Sequence, residues 1–352
     1  MDEIKRVISK IENIDSSLAG KAQERLNNLT KPQGSLGKLE DLAKQIVGVT
    51  GKLTPELKNK VIFTIAADHG VADEGVSAFP KEVTAQMVYN FLRGGAGINV
   101  LANHIGARVI IVDAGVACDL ENKEGRLKLK KVNYGTKNMA KSPAMSREEA
   151  TRSIEVGIEA FEEELSKGMD IIGTGEMGIA NTTASSAITS IITGISVEEV
   201  TGKGTGIADK ALANKIEVIK RALSINKPNS EDAIDVLSKI GGFEIGGLAG
   251  IMLAAASYKV PVVIDGFISG AAALIAYKLE PKTKDYMIAA HCSLEKGHKA
   301  ILDYLGLKAL LDFNLRLGEG TGAALAIGIV EAGVKILNEM ATFGEAGVSE
   351  KK

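Results

Sequence analysis

Tryptophan is absent from this chain of 352 residues, and all aromatic residues together make up 4% of it. Large rings therefore do little of the packing, and small residues must serve instead. Cysteine is scarce too: Cys118 and Cys292 have no CxxC spacing, which excludes a disulfide framework and a cysteine-built zinc site and fits a reducing compartment. No extended Lys/Arg-rich run occurs, and 42 basic against 44 acidic residues leave a net charge of -2. That balance gives no electrostatic footprint for nucleic acid or an anionic membrane. Residues Met1 to Asp15 mix both signs of charge and lack the apolar core of a secretory signal. Weakly polar stretches such as Gly246 to Ser257 are Gly/Ala-rich and shorter than the roughly 20 residues of a membrane span, so they read as packed core helices. A cytoplasmic soluble protein with neither nucleic-acid nor membrane partners is expected.

Glycine is abundant, with 39 residues. Without collagen or linker periodicity, this points to many tight strand-to-helix turns and to backbones that approach one another or a ligand. Six short apolar runs each end in a small or polar residue: Val61–Asp68, Arg108–Asp113, Asp170–Gly173, Val260–Asp265, Tyr286–His291 and Leu310–Asn314. Each reads as a buried strand, and helical spacing between most of them, as in Pro80 to Leu101 and Ser146 to Leu165, makes the alternation βαβα. The expected fold is α/β: a mostly parallel, Rossmann-like sheet of about six strands with flanking helices. Met1 to Asn28 and Thr321 to Met340 show amphipathic helical patterns outside those strands. They are expected to pack together, giving an α/β core over 56–324 and a small helical domain from 1–55 and 325–352.

Strand carboxyl ends in such sheets form the ligand crevice. Asp68-His69-Gly70, Asp113, Gly173-Thr174-Gly175-Glu176, Asp265-Gly266, His291 and the loop around Glu319 are expected to gather there. Gly173 to Gly178 matches GxGxxG, but Ser196 to Gly206 is a polar, Gly-rich loop where a dinucleotide fold needs an acid ending the next strand. The continuation Ile179-Ala180-Asn181-Thr182-Thr183 is more informative. An Asn and two hydroxyls opening a helix can join backbone N–H groups around one phosphate, although a purely structural turn reads the same way. Gly202 to Gly206 is a second Gly/Thr loop; Lys215 beyond it is either a further phosphate contact or a solvated helix charge. Glu319, between glycines after an apolar run and before an Ala-rich helix, is either a desolvated general base or an acid favoured by a helix N-terminus. Glu176 raises the same question.

His69, His104, His291 and His298 show no HExxH or other metal spacing. Asp68, Asp113 and Asp265 are candidates for Mg²⁺, but a single strand-end Asp more often accepts from loop N–H groups. Walker A and GxSxG sequences are absent. No metal and no cofactor is expected.

Several stretches taken together closely resemble the nicotinate-nucleotide:dimethylbenzimidazole phosphoribosyltransferases. They are Leu29-TKPQGSLGKLE-Asp41, Asp68-HGVADEGVSAFPKEVTAQM-Val88, Gly173-TGEMGIANT-Thr183, Gly241-GFEIGGLA-Gly250, Val260-PVVIDGFISGAAA-Leu274, Arg316-LGEGTGAAL-Ala326 and Met340-ATFGEAGV-Ser349. The resemblance implies transfer of 5-phosphoribose from nicotinate mononucleotide to 5,6-dimethylbenzimidazole by a homodimer. It implies Glu319 as catalytic base and Gly175, Glu176, Met177, Gly178, Ile179, Ala180, Asn181 and Thr182, with Gly204 and Lys215, around phosphate and ribose. Phe79, Gln86, Ser293 and Leu317 are implied around the two bases. This chain departs from the pattern at Ala180, where Gly is usual, at Gln33, where a second Pro is frequent, and at Phe79, where Tyr is frequent. Two rivals stand beside this reading: an NAD-dependent oxidoreductase, and a sensor that binds the nucleotide without turnover.

Overall fold

A run of aliphatic residues hidden on both faces belongs in the middle of a parallel sheet, and every residue of Lys60–Ala67 (β1) is buried. The computed structural model describes residues 1–122, 125–204 and 206–349. The other strands are Ala107–Gly115 (β2), Leu127–Leu129 (β3), Ile171–Met177 (β4), Val262–Ile264 (β5) and Met287–Ala289 (β6). All pair in parallel in the order β3-β2-β1-β4-β5-β6. The sequence of connections reverses direction between β1 and β4, which places the crevice at their carboxyl ends.

Two expectations about the strands need correction. Leu310–Asn314 is not a strand: Leu311 makes a single parallel bridge to His291, and the chain then turns away through Asn314 at φ 56°. The sixth strand is instead β3, a three-residue edge within the charged run Arg126 to Lys131, too short and too rich in lysine to read as one. In addition, Gly173 to Glu176 lie inside β4 and not in a loop beyond it. A dinucleotide fingerprint needs its glycines in the turn between strand and helix, so the GxGxxG match loses its basis.

Period-two alternation sends Val61, Phe63 and Ile65 into one core cluster and Ile62 and Ala66 into another on the opposite face. Helices Arg147–Glu162 and Phe243–Ser257 cover the first face. They touch backbone to backbone: a Cβ on Gly157 would overlap the Gly247 carbonyl, and one on Gly250 the Ile154 carbonyl. Close helix contact of this kind is how a chain poor in aromatic rings fills its interior.

The amphipathic pattern at the start is two helices, Asp2–Ile8 and Ser16–Asn28, the second capped by Asp15, which accepts from the N–H groups of Ser17 and Leu18. The first places Ile4 and Val7 in the larger core cluster. The second joins helix Lys38–Thr50 and Leu337 in a small separate cluster containing Ala22, Leu26, Leu29, Ala43 and Val47. Leu29 bridges Thr342, and the Arg25 guanidinium donates to the carbonyl of Leu337 at 2.6 Å. Helix Thr321–Glu339 does not lie outside the strand-bearing core as its pattern suggested, because Ala323, Ala324, Ala326, Ile327 and Val330 pack in the second sheet cluster. This helix has the length and hydropathy of a membrane span. The packing of its first half against the sheet accounts for that apolarity.

Candidate active site

At the carboxyl ends of β4, β5 and β6 lies a pocket of about 620 Å³, lined by Glu176, Asn181, Thr182, Asp265, His291 and Glu319 among others. That size suits a drug-sized ligand. Glu319 sits in a turn whose three central residues, Gly318, Glu319 and Gly320, all have left-handed backbone (φ 83°, 64° and 99°). A left-handed glutamate costs about 1–2 kcal/mol and persists only where its surroundings fix it. Here the Thr64 hydroxyl donates to the Glu319 carbonyl at 3.1 Å, and the Gly320 and Ala323 N–H groups donate to Asp265 at 3.2 and 3.0 Å. Gly175 in β4 packs against the same turn, where a Cβ would overlap the Glu319 carbonyl.

The carboxylate of Glu319 is buried, and its Oε2 accepts from the Ile98 N–H at 3.0 Å, at the start of helix Gly97–Ile105. It lines the pocket, and it meets a helix N-terminus, though not that of its own helix. Burial raises its pKa above the usual carboxylate value, opposed by the N–H groups of Ile98 and Gly97.

Glu176 follows Gly175 in β4 and is buried, hydrogen-bonded to the Asn181 side chain. Burial, opposed by that bond and reinforced by the nearby carboxylates of Glu244, Asp265 and Glu319, pushes its pKa up to about 8. Asp265 reaches about 7 through burial, against the N–H groups of Ala323, Gly320 and Gly322.

Beyond β4, Gly178 and Ile179 lead into helix Asn181–Thr193 through Ala180, which is left-handed at φ 75°. Glycine adopts this conformation without a Cβ penalty, which explains why the resembling sequences favour it here. The Ile179 N–H donates to the Thr84 hydroxyl at 3.1 Å. Lys215 is fully buried, so it is not a solvated helix charge. Its Nζ donates to Thr182 Oγ1 at 2.7 Å and to the Gly202 carbonyl at 3.4 Å. Burial lowers its pKa to about 8, countered by the charge of Glu295. Lys215 therefore lies beneath the pocket wall, while Gly204 is part of that wall. Thr205 of the second loop and residues 350–352 of the tail lie outside the described residues.

Met177, Gly178, Ile179, Ser293, Phe79 and Leu317 line the pocket, the last two at its mouth with 52% and 61% of their surface exposed. Gln86 does not line it. It is exposed, and Val83 and Met87 present helix Val83–Arg93 to the cavity, with Gln86 turned about 100° from Met87. Arg316, Glu295, Asp265 and His291 also line the pocket without having been assigned a substrate role. The first immediately precedes the LGEGTG sequence, and the last two were legible only as polar ends of strands.

Asp68 and Asp113 lie apart from these groups. Asp68 accepts from the Ala117 N–H, and Asp113 from those of Gly115 and Val116, which is the loop-holding role open to a strand-end Asp. Among the described residues no group of three or more His, Cys, Asp or Glu is arranged to hold a metal ion.

Comparison with known proteins adds an independent line. Residues 11–348 match the family profile described as a phosphoribosyltransferase. The nicotinate-nucleotide–dimethylbenzimidazole phosphoribosyltransferase of Geobacter sulfurreducens is 56% identical over 350 residues, 99% of each chain. The enzyme of that name from Chloroflexus aggregans is 57% identical over 352 residues, 100% of this chain and 99% of its own. The crystal structure of CobT from Thermus thermophilus superposes with a TM-score of 0.92 at 42% identity, covering 95% of this chain and 100% of that one.

Proposed function

Because the chain belongs to the nicotinate-nucleotide–dimethylbenzimidazole phosphoribosyltransferase family, we propose that it moves 5-phosphoribose from nicotinate mononucleotide to 5,6-dimethylbenzimidazole. The products are nicotinate and α-ribazole 5′-phosphate. The observation that carries this reading is the meeting, in one pocket, of a carboxylate held at a helix N-terminus and a Gly/Asn/Thr helix start backed by a buried lysine.

The donor's nicotinate is already a cationic pyridinium, so its C1′–N bond can break with the electron pair returning to the ring nitrogen and no acid is needed. The acceptor azole must lose its N–H proton as its other nitrogen attacks C1′. Glu319 takes that proton. Its Oε2 bond to Ile98 fixes the carboxylate's direction, and its raised pKa makes it a better proton acceptor than an exposed glutamate while it stays ionisable. Attack on the face opposite nicotinate inverts the anomeric centre from β to α. The Gly178–Thr182 segment, with Lys215 behind Thr182, takes the phosphate by N–H and hydroxyl donation and a nearby ammonium. Phe79 and Leu317 flank the base at the mouth.

Incubation with nicotinate mononucleotide and a panel of benzimidazoles, with products identified by mass and anomeric configuration by NMR, is the test. An α-ribosyl product is expected. Binding without any ribosylated product overturns the enzymatic reading in favour of a sensor. We further propose a homodimer, supported by the family and by the exposed Phe79 and Leu317 at the mouth with Leu294 and Phe313 nearby in sequence to other lining residues. A light-scattering mass near the chain's own 36.9 kDa refutes it.

A further inference from the structure

The loop that starts at Gly178 rests on a buried ion pair with no part in the chemistry above. His69 follows β1 by two residues, and Glu244 lies in the first turn of helix Phe243–Ser257. Their side chains are 1% and 0% exposed, with Nε2 2.7 Å from Oε1. The backbone is fitted around them. A Cβ on Gly242 would run into the imidazole and would stand 2.6 Å from Glu244 Oε2. One on Gly178 would stand 3.4 Å from the ring's Cδ2 and Nε2 while pressing on the Ala67 carbonyl at 2.5 Å. The imidazole thus fills a slot between the start of one helix and the first residue beyond β4.

Such a pair is a poor way to stabilise a fold, since desolvating two charges offsets most of their attraction. Glu244 Oε2 is buried with no hydrogen-bond partner, which adds to the cost. Burial alone favours a neutral His69, but the charge and hydrogen bond of Glu244, with the charge of Asp68, outweigh it and raise its pKa. What the pair does have is a place. Gly178 lies on the ring, and the next residue, Ile179, is tied by its N–H to Thr84. These two anchors immediately precede left-handed Ala180, so they set the direction in which the N–H groups opening helix Asn181–Thr193 point.

We propose that His69 and Glu244 are positioning residues that hold the Gly178–Thr182 segment in register for the phosphoryl end of the donor. This rests on the reading above that the segment takes phosphate. Glu244 fixes the ring, the ring supports Gly178, and donor affinity follows from the resulting geometry; the azole side of the pocket is untouched.

The test compares three variants of the full chain by titration calorimetry and steady-state kinetics. Glu244→Gln keeps the side-chain shape and removes the charge. The double variant His69→Leu/Glu244→Leu replaces the pair by apolar groups of similar volume, a change that leaves a fold as stable or more so. Thr182→Ala alters the segment directly. In both pair variants Kd and KM for nicotinate mononucleotide should rise about tenfold, as expected when a binding group is misplaced by a fraction of an ångström. Turnover at saturation and azole affinity should hold, with the double variant melting no lower than wild type. A folded double variant with wild-type donor affinity, beside a Thr182→Ala variant that binds donor weakly, overturns the positioning role and leaves the phosphate reading standing. If Thr182→Ala also binds donor normally, both readings fall. A loss confined to kcat, or shared equally by donor and azole, also overturns the proposal.

Discussion

Glu319 keeps its carboxylate on the Ile98 N–H at the start of a neighbouring helix, in a turn tied to β1 through Thr64 and to Asp265 after β5. Glu176 lies at the end of β4 with Asn181 as partner and three carboxylates, those of Glu244, Asp265 and Glu319, close enough to act on its proton. Both stand among glycines in blocks of similar composition, and both line one pocket. The difference teaches that the proton inventory of this site is set by what faces each carboxylate. One is given N–H donors that tolerate its charge; the other, at a pKa of about 8, keeps its proton at neutral pH. The first is equipped to accept a proton and the second to donate a hydrogen bond.

Four measurements break or sharpen that contrast. The largest effect is expected from Glu319→Gln, which keeps shape and removes the proton acceptor. Loss of a general base is worth ~10²–10⁴ in rate, about 3–5 kcal/mol in the barrier, with donor binding unchanged. Part of the rate should return as pH approaches the azole's own ionisation, and retention of more than about a tenth of turnover removes the assignment. Next, Lys215→Met should weaken nicotinate mononucleotide binding by about 1.5–3 kcal/mol, the usual worth of a hydrogen bond to a charged group. In the wild type that binding should decline as pH rises past about 8, where Lys215 loses its charge. Direct titration at pH 7 and pH 9 checks both.

Glu176→Gln should matter less. An amide imitates a protonated acid, so turnover at pH 7 is expected to stay within about tenfold of wild type. Stability supplies a second reading of the same group. A folded-state pKa raised from 4.5 to about 8 means that the native state holds a proton the unfolded chain releases, so wild-type stability falls as pH rises across that interval. The amide variant lacks this loss, and its advantage in denaturant titrations should grow from pH 5 to pH 8. A turnover loss equal to that of Glu319→Gln would erase the distinction between the two glutamates. The smallest effect is Ala180→Gly. It relieves a left-handed alanine at φ 75° and should stabilise by about 0.5–1 kcal/mol, once the greater chain entropy of glycine is deducted.

Much of this was readable in the residues, for identifiable reasons. β1 is apolar or β-branched on both faces after Lys60, and β2 and β4 carry the aliphatic runs Val109–Val112 and Ile171–Ile172, so all three stand out in the sequence. β3 does not, because this three-residue edge alternates leucine with a lysine that pairs with Glu163 and Glu164 and shows no apolar run. Leu310 to Asn314 misled for the opposite reason. It has strand composition but makes one bridge before its backbone inverts at Asn314. The site followed the same division. Glu319, Asn181 and Thr182 sit in glycine-marked turns, where sequence advertises close approach, and Gln86 was placed by its block but not by its helix face, which only the fold orients. Nothing along the chain announced that Glu319 would borrow the N–H of a residue 221 positions away, or that Lys215 would be buried under Thr182.

The helix Thr321–Glu339 begins at the turn that carries Glu319 and ends where Arg25 and Leu29 clasp the carboxyl-terminal segment. At 1.5 Å per residue it is a rod of about 28 Å joining the Glu319 turn to the meeting place of residues some 310 positions apart. During synthesis, helix Ser16–Asn28 can meet helix Lys38–Thr50 early, but its contacts with Leu337 and the carboxyl-terminal segment must wait for nearly the whole chain to emerge. Domains this dependent on distant pairing fold slowly and late. Catalytic competence should thus be the last property acquired on refolding, trailing the helical circular-dichroism signal, and a nascent chain stalled before residue 319 should carry the Gly178–Thr182 segment without Glu319.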